Sequence, residues 1–217
     1  MDVLNEIASY GVVPVIVIED ARDALPLADA LIDGGLPIAE ITLRTPAALE
    51  AIKLIATHRP DMLVGAGTVI FDDQVAASQA AGARFALAPG FDPKVVSEAK
   101  KARLPFVPGV MTTSDIQAAL QAGCRKVKFF PAEASGGVAM LKSLSEPYRH
   151  TGLKFNPTGG ITIDTMNDWL EHPSVFAVGG SWIARADDIT AGNWDRIAEK
   201  AKAAREMAKA IRKRVKA

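Results

Sequence analysis

Short runs of β-branched and aromatic residues alternate with longer, alanine-rich segments along the whole chain. The first run, "VVPVIVI" at 12–18, precedes "ARDALPLADALIDGG", whose apolar residues recur with the period of a helix. The same change of pattern recurs after the runs at 38–44, 62–70, 85–90, 106–110, 126–132, 154–160 and 176–183. Glycine or proline stands at most boundaries, and no shift in composition marks a linker. The pattern therefore predicts eight strand–helix units.

The predicted strands are apolar on both faces, as in a parallel sheet that is covered by helices. Eight such units close most naturally into a (β/α)₈ TIM barrel. We therefore expect residues 1–217 to form a single α/β barrel domain with a short N-terminal helix and a basic C-terminal helix. A doubly wound sheet uses the same alternation, and periodicity alone does not exclude it. In a barrel, the chemistry lies at the carboxyl ends of the strands.

Composition and charge narrow the range of partners. Lys plus Arg and Asp plus Glu both number 25, so nothing favours nucleic acid or an anionic membrane. Cys124 is the only cysteine, which excludes an internal disulfide and fits a reducing compartment. With no basic leader and no apolar run of about 18 residues, the sequence predicts a cytoplasmic protein. Residues 200–217 hold eight basic residues and one acidic residue, which we interpret as a solvated helix.

Two predicted strands carry charged residues among apolar ones. In "AEITLR", the alternation of side chains puts Glu40, Thr42 and Arg44 on one face. In "KVKFFP", the same rule groups Lys126 and Lys128. Both polar faces must point inward, because the surrounding helices require the apolar faces. One interpretation is an ion pair between two strands, although burying ions costs several kcal/mol even when they are paired.

The other interpretation is catalytic. Desolvation favours the neutral amine of a lysine, and a neutral amine can attack a carbonyl to form a Schiff base. Lys128 is the better candidate than Lys126, because it lies nearer the carboxyl end of its strand. Glu40 would move the protons that this chemistry needs. Arg44 would bind a substrate carboxylate through two parallel hydrogen bonds.

Two glycine pairs stand at the ends of the last two predicted strands. The segments "NPTGGITI" and "AVGGSW" contain the pairs Gly159–Gly160 and Gly179–Gly180. Barrel enzymes often bind phosphate with the loops after these strands, through unhindered backbone N–H groups. Thr158 and Ser181 would add hydroxyl donors. Each pair alone is also typical of a simple turn or helix cap, whereas the two together favour a phosphate site.

Other motifs add less. "VGAGT" lacks the third glycine of a dinucleotide loop, so its glycines either leave room for substrate, with Thr68 as a donor, or relieve crowding. The strand end "APG", with Pro89, is either a rigid turn or a wall of the substrate site. His58, His150 and His172 have no metal-ligand spacing, so the sequence predicts neither a metal nor another cofactor.

Taken in order, the motifs resemble a known family. They are "VVPVI", "EITLRT", "VGAGTV", "APG", "VPGV", "KFFPAE", "PTGGI" and "VGGSW". This set resembles the bacterial 2-keto-3-deoxy-6-phosphogluconate (KDPG) aldolases, whose members often also act on 2-keto-4-hydroxyglutarate (KHG). The resemblance runs from Val12 to Trp182. It implies a (β/α)₈ barrel, a homotrimer and a class I, metal-free cleavage to pyruvate and D-glyceraldehyde 3-phosphate, the closing step of the Entner–Doudoroff pathway.

The resemblance also implies roles for single residues. Lys128 matches the Schiff-base lysine, and Glu40 matches the acid/base glutamate. The residues expected to bind the rest of the 2-keto acid are Arg44, Thr68, Pro89, Phe130 and Thr158. The residues expected to hold phosphate are Gly159, Gly160, Gly179, Gly180 and Ser181. Asn156, just before "PTGG", departs from the family pattern without touching the chemistry.

Two alternatives stay open at the level of sequence. A phosphosugar isomerase or decarboxylase would use the same barrel and phosphate loops, with Lys128 as an electrostatic group only. A catalytically silent trimeric scaffold, or an engineered assembly subunit, would keep the residues by descent. The sequence also does not rank phosphorylated against unphosphorylated 2-keto acids as substrates.

Overall fold

The computed structural model describes residues 2–216, so the predicted domain boundaries at residues 1 and 217 lie outside the described residues. Strands and helices alternate along this range. The strands are β1 Val12–Ile16, β2 Ile38–Thr42, β3 Leu63–Gly67, β4 Ala86–Leu87, β5 Phe106–Val107, β6 Gly109–Val110, β7 Lys126–Phe129, β8 Lys154–Pro157 and β9 Val178–Gly180. The helices are α1 Val3–Tyr10, α2 Ala24–Asp33, α3 Ala48–His58, α4 Asp73–Ala80, α5 Pro93–Lys101, α6 Thr113–Gln121, α7 Gly137–Ser145, α8 Met166–Leu170, α9 Ala186–Thr190 and α10 Trp194–Lys216.

Local sequence explains where several elements begin and end. Asp92 caps α5 by accepting hydrogen bonds from two backbone N–H groups, and Pro93 stands in its first turn, where no N–H is needed. Thr112 and Asp115 form a capping box at the start of α6. Pro108 interrupts the fifth predicted strand, because it has no N–H to donate to a neighbour. The run at 106–110 therefore appears as two short strands, β5 and β6, where the sequence predicted one.

All strand pairs are parallel, and the sheet is curled. One sheet has six strands in the order β5-β4-β3-β2-β1-β9, and a second has three in the order β6-β7-β8. The two sheets approach each other at both ends. Near Pro108, β5 runs directly into β6. On the other side, isolated bridges join Phe155 of β8 to Val175 and Thr158, just after β8, to Gly179 of β9. The fold is thus an α/β fold with a curled parallel sheet, as the alternating pattern predicts.

Apolar side chains from both layers fill the core between strands and helices. Trp169, Phe85 and Phe129 are among its largest fully buried members. Burial of apolar surface on this scale is the main force that holds the helices against the sheet. No helix within residues 2–216 combines the length and the apolar character needed to cross a membrane.

The C-terminal helix α10 differs from the solvated helix that its charges predict. Arg205 donates hydrogen bonds to the backbone carbonyls of Ser9 and Tyr10. Arg212 does the same to two carbonyls just before β9. Lys200 pairs with the buried carboxylate of Asp188 at 2.6 Å. The prediction of a solvated helix was therefore wrong for these three cations, because they fasten α10 to other parts of the fold.

Candidate active site

A buried lysine and a buried glutamate meet in the interior of the curled sheet. Lys128 Nζ on β7 lies 2.9 Å from Glu40 Oε1 on β2, and the two side chains are 6% and 0% exposed. The residues are 88 positions apart in the chain. The alternation of side chains predicted that both would point inward, and the structure brings them together.

The strand next to β2 is shaped to receive the glutamate. A Cβ at Gly67 on β3 would collide with the carboxyl group of Glu40, so glycine is needed there. A Cβ at Gly65 would collide with the ring of Phe85. Of the two roles predicted for the glycines of "VGAGT", these contacts favour relief of crowding.

Within the described residues, only one carboxylate oxygen of Glu40 accepts a hydrogen bond. Glu40 Oε1 accepts the bond from Lys128, whereas Oε2 is buried and has no hydrogen-bond partner among residues 2–216. A buried oxygen without a partner is costly, since a lost hydrogen bond to a charged group is worth more than one to a neutral group. Oε2 is therefore the atom of Glu40 that is free to accept a proton from a hydroxyl group or a water.

Strand β2 is shorter than the strand that the sequence pattern predicted. Strand β2 ends at Thr42, whose hydroxyl donates to the carbonyl of Ile16. Arg44 lies in the following turn, with its backbone N–H bonded to the carbonyl of Thr42. The prediction that Arg44 shares the strand face of Glu40 was therefore wrong. Its side chain is exposed and forms no ion pair within the described residues, so its guanidinium is available to a carboxylate.

Two further predicted site residues follow the ends of their strands. Phe130 comes directly after β7, and the centre of its ring is 5.8 Å from Lys128 Nζ. Thr68 comes directly after β3 and has φ of 58°, in the left-handed region. For a β-branched residue this conformation is unusual and costs on the order of 1–3 kcal/mol. Strain of this kind is often found at ligand-binding positions, which favours a functional role for Thr68.

Pro89 follows β4 and meets a glycine of the neighbouring strand. Its carbonyl would collide with a Cβ at Gly109. Gly109 is also the register partner of Lys128 on β7. The absence of a side chain at this one position lets the turn after β4 approach the strand that carries the lysine.

The two glycine pairs differ in conformation. Gly159 and Gly160 follow β8 with φ of 107° and 81°, which side-chain-bearing residues rarely adopt. Gly179 and Gly180 lie within β9, where Gly180 pairs with Pro14 of β1. A Cβ at Gly179 would collide with the hydroxyl of Thr158. One visible function of Gly179 is therefore to make room for Thr158.

A cavity with polar and cationic lining residues adjoins Gly160. This cavity of about 400 Å³ is lined by Gly160 and Ser181, together with Thr162 and Arg185. Ser181 is exposed and directly follows β9. Arg185 is exposed as well, and the sequence offered no motif that marked it. A backbone loop, hydroxyl groups and a guanidinium are all groups that bind phosphate oxygens.

Asn156 is a site residue to which the sequence assigned no role. It is the register partner of Lys128 on the neighbouring strand and is buried. Its Nδ2 donates to the carbonyl of Ala177 at 2.9 Å, and its Oδ1 accepts from the hydroxyl of Thr158 at 3.3 Å. Asn156 thus fixes the direction of the Thr158 hydroxyl. The only signal in the sequence was its place before "PTGG".

Glu133 supports the glycine loop. Its backbone N–H donates to the carbonyl of Gly159 at 3.0 Å, and its Oε1 accepts from the indole of the buried Trp169 at 2.8 Å. A Cβ at Gly160 would lie 2.7 Å from the Cβ of Glu133. The motif "KFFPAE" contains this residue, but a link to a loop that lies far along the chain was not visible in it.

Taken together, these groups suit covalent catalysis on a carbonyl compound. The amine can act as nucleophile, and the carboxylate beside it can transfer protons. Arg44 and the glycine loops supply groups that can hold anionic ends of a substrate. Among residues 2–216, no group of three or more His, Cys, Asp or Glu side chains is arranged to hold a metal ion.

Comparison with known proteins agrees with the motifs. The family model "KDPG and KHG aldolase" matches residues 3–200. The chain is 46% identical to the 2-dehydro-3-deoxy-phosphogluconate aldolase of Pseudoalteromonas atlantica, over 92% of this chain and 93% of that protein.

Two solved structures are similar over nearly the whole chain. The KDPG aldolase of Legionella pneumophila, with pyruvate captured as a covalent carbinolamine intermediate, is 43% identical with a TM-score of 0.88, over 92% of this chain and 97% of that one. The 2-keto-3-deoxy-6-phosphogluconate aldolase of Zymomonas mobilis with 3-phosphoglycerate is 41% identical with a TM-score of 0.85, over 93% and 94%. These matches confirm the resemblance, and the chain belongs to the KDPG and KHG aldolase family.

Proposed function

We propose that this protein is a class I aldolase that cleaves KDPG to pyruvate and D-glyceraldehyde 3-phosphate, the closing step of the Entner–Doudoroff pathway. We extend the proposal to KHG, which would give pyruvate and glyoxylate. The observation that carries it is the buried pair of Lys128 and Glu40, 2.9 Å apart, in a chain of this family. The covalent carbinolamine in the Legionella relative is the intermediate that precedes a Schiff base, which supports the same chemistry here.

The first half of the cycle joins substrate to enzyme. Transfer of a proton from Lys128 to Glu40 leaves a neutral amine, which attacks the C2 carbonyl. The added nitrogen then passes a proton to the oxygen to give a carbinolamine. Glu40 then protonates the departing hydroxyl, so that water leaves and an imine forms. The close approach of Nζ to Oε1 supports this role, because a general acid or base must lie within hydrogen-bond reach of its partner.

The second half breaks the carbon chain. Glu40, directly or through a water, takes the proton of the C4 hydroxyl, and the C3–C4 bond breaks with its electrons moving to the imine nitrogen. The aldehyde leaves, and an enamine remains on Lys128. Protonation at C3 restores an imine, and its hydrolysis releases pyruvate and the free amine. The unpartnered Oε2 of Glu40 is the oxygen suited to accept the C4 proton.

The remaining site residues position the two ends of the substrate. We assign the pyruvate carboxylate to Arg44 and Thr68, with Phe130 packing beside the imine and Pro89 and Thr158 forming further walls. We assign the phosphate to the glycine loops and Ser181. The 3-phosphoglycerate in the Zymomonas relative supports a site for a phosphorylated acid. A direct role of Gly179 in phosphate binding stays a prediction.

The architecture is proposed on the same basis. We propose one domain whose curled sheet closes into a (β/α)₈ barrel, supported by the last strand pairing with the first.

We also propose a homotrimer. Large apolar side chains at Ile70, Phe71 and Met111 are 44%, 60% and 44% exposed, and exposed apolar side chains of this kind occur at subunit interfaces. Sedimentation equilibrium should give the mass of three chains. A measured mass of one chain would contradict the trimer. The expected cytoplasmic location stays a prediction.

Trapping the covalent intermediate tests the proposed function directly. When borohydride is added to the protein with pyruvate, we expect reduction of the imine and a stable adduct on Lys128, located by peptide mass spectrometry. A protein that cleaves KDPG without forming an adduct would use Lys128 only electrostatically. Neither an adduct nor cleavage would be the result for a silent scaffold. Both outcomes contradict the Schiff-base mechanism.

Replacing Ser181 by alanine separates phosphate binding from chemistry. The variant loses a hydrogen bond to a charged acceptor, worth about 1.5–3 kcal/mol, so we expect kcat/KM for KDPG to fall roughly tenfold to a hundredfold. The phosphate-free substrate KHG should be much less affected, and pyruvate imine formation at Lys128 should scarcely change. The measurement is kcat/KM of wild type and variant on both substrates. Equal losses on KDPG and KHG would mean that Ser181 does not bind phosphate.

A further inference from the structure

Three cations line a cavity at the amino-terminal ends of β7 and β8, where these strands begin. The cavity measures about 530 Å³ and is bounded by Lys126, Lys154 and Arg212, with Asn5 and Ser9 of α1 on one side. Lys126 and Lys154 are the first residues of β7 and β8, and Arg212 comes from α10. No Asp or Glu of the described part of the chain lines this cavity. The aldolase mechanism uses none of these residues.

The register of the sheet places two of the cations side by side. Lys126 is the direct partner of Lys154 on the neighbouring parallel strand. Like charges at directly paired positions destabilise a sheet. Neither lysine, nor Arg212, forms an ion pair within residues 2–216. The repulsion is therefore not offset by an ion pair to a carboxylate of the described chain, and only the longer-range attraction of Asp2 for Lys126 opposes it.

Each cation is instead held in place by neutral acceptors. Lys126 Nζ donates to Asn5 Oδ1 at 2.7 Å, and Lys154 Nζ donates to the carbonyl of Pro173 at 2.9 Å. An ammonium has three donors, so each lysine keeps two for another acceptor. Neutral side chains could make these same bonds without repulsion, so the bonds alone do not account for the charges.

Arg212 is fixed most firmly. Its NH2 donates to the carbonyls of Val175 and Phe176 at 3.0 and 2.7 Å, which leaves NH1 and Nε for other acceptors. Nε is buried and has no partner among the described residues. A guanidinium that is immobilised in this way has less freedom to lose on binding an anion.

An aromatic ring and partial burial also affect the cations of this cavity. The ring of Phe176 lies 5.4 Å from Lys126 Nζ and forms part of an apolar wall. Burial lowers the pKa of Lys126 from its ordinary value, and the exposed carboxylate of Asp2 opposes this shift. Burial likewise lowers the pKa of Arg212. The cost of keeping these groups charged would fall if an anion lay between them.

We propose that this cavity binds a small phosphorylated polyanion at the end of β7 that lies away from the catalytic face. Three positive charges exceed what a single carboxylate neutralises, whereas one phosphate group carries about −1.5 to −2 at neutral pH. The remaining donors of the two lysines and Arg212 suit phosphate oxygens, and Asn5 Nδ2 adds a neutral donor, whereas the Ser9 hydroxyl already donates to the carbonyl of Glu6. The proposal is independent of the assigned substrate phosphate site, which lies at the carboxyl ends of β8 and β9.

Calorimetric titration of the full chain with inorganic pyrophosphate tests the proposal. The variants Lys126→Gln and Lys154→Gln keep a polar side chain but remove one charge each, and each should weaken binding roughly tenfold at low ionic strength. Lys209→Gln is the matched control, because Lys209 is an exposed lysine of α10 that does not line the cavity. Its Kd should equal that of wild type. Ser181→Ala should remove only binding at the substrate phosphate site and leave the component that depends on Lys126 and Lys154 unchanged.

A local readout identifies where the probe lies. Pyrophosphate should slow the acylation of Lys126 and Lys154 by a lysine-specific reagent and leave Lys209 unchanged, as measured by peptide mass spectrometry. The proposal is overturned if about 10 mM pyrophosphate gives neither heat nor protection. It is equally overturned if Lys209→Gln weakens binding as much as the two cavity variants. A loss confined to Ser181→Ala would assign the binding to the catalytic face and would overturn it too.

Discussion

Replacing Lys128 by alanine should lower the kcat for KDPG cleavage by about 10⁴-fold or more, because the nucleophile is lost. We expect that no pyruvate adduct forms in this variant in the presence of borohydride. The change also leaves the carboxyl group of Glu40 buried without its partner, which costs on the order of 3–5 kcal/mol if it stays charged. Lys128→Met fills more of the space and should show the same loss of activity. Circular dichroism and urea unfolding check that both variants are folded.

A second ion pair provides the matched control for this experiment. Lys200 and Asp188 are 2.6 Å apart, with the carboxylate largely buried, and they join α10 to α9 away from Lys128. Lys200→Met removes a paired lysine of the same kind, so it should lower stability and leave kcat within about threefold of wild type. A folded Lys128→Ala protein with wild-type kcat would contradict the Schiff-base assignment outright.

Replacing Glu40 by glutamine should lower kcat by about 10²- to 10⁴-fold, the usual contribution of a general acid or base. The amide oxygen can still accept the bond from Lys128, so the lysine stays in position. We therefore expect a pyruvate adduct to form in the presence of borohydride, but slowly. Single-turnover measurements with KDPG, alongside the rate of adduct formation, separate the proton-transfer role from simple positioning of the lysine.

Asp188→Asn is the control for neutralising a buried carboxylate. It breaks the pairs with Lys200 and Arg196 and should reduce the free energy of unfolding without changing kcat. The proposed role of Glu40 would be wrong if Glu40→Gln kept wild-type kcat, or if its loss lay in KM alone.

The sequence carried most of the information about the elements and the central pair. Strand positions followed from short apolar runs and their flanking glycines and prolines, because these preferences act within a few residues. The inward direction of Glu40 and Lys128 followed from side-chain alternation, which is equally local. The ordered motifs identified the family, and the comparisons confirmed it.

Two predictions from the sequence were wrong, one about the face on which Arg44 lies and one about the surroundings of α10. The alternation placed Arg44 on the face of Glu40, but β2 ends at Thr42 and the chain turns there. The cations of α10 predicted a solvated face, yet Arg205 and Arg212 bond to carbonyls of residues far away in the chain. Local patterns do not encode where a turn closes or which distant carbonyl lies beside a helix.

What the sequence by itself determined is thus most of the elements and the family, and it also singled out the two side chains that we propose to react. Only the tertiary structure decided that Gly67 makes room for Glu40, that Asn156 orients Thr158, and that Lys126 faces Lys154 across two strands. Each of these contacts depends on strand register and on the curl of the sheet. Register and curl result from the packing of the whole chain, because they join residues whose local sequences carry no information about one another.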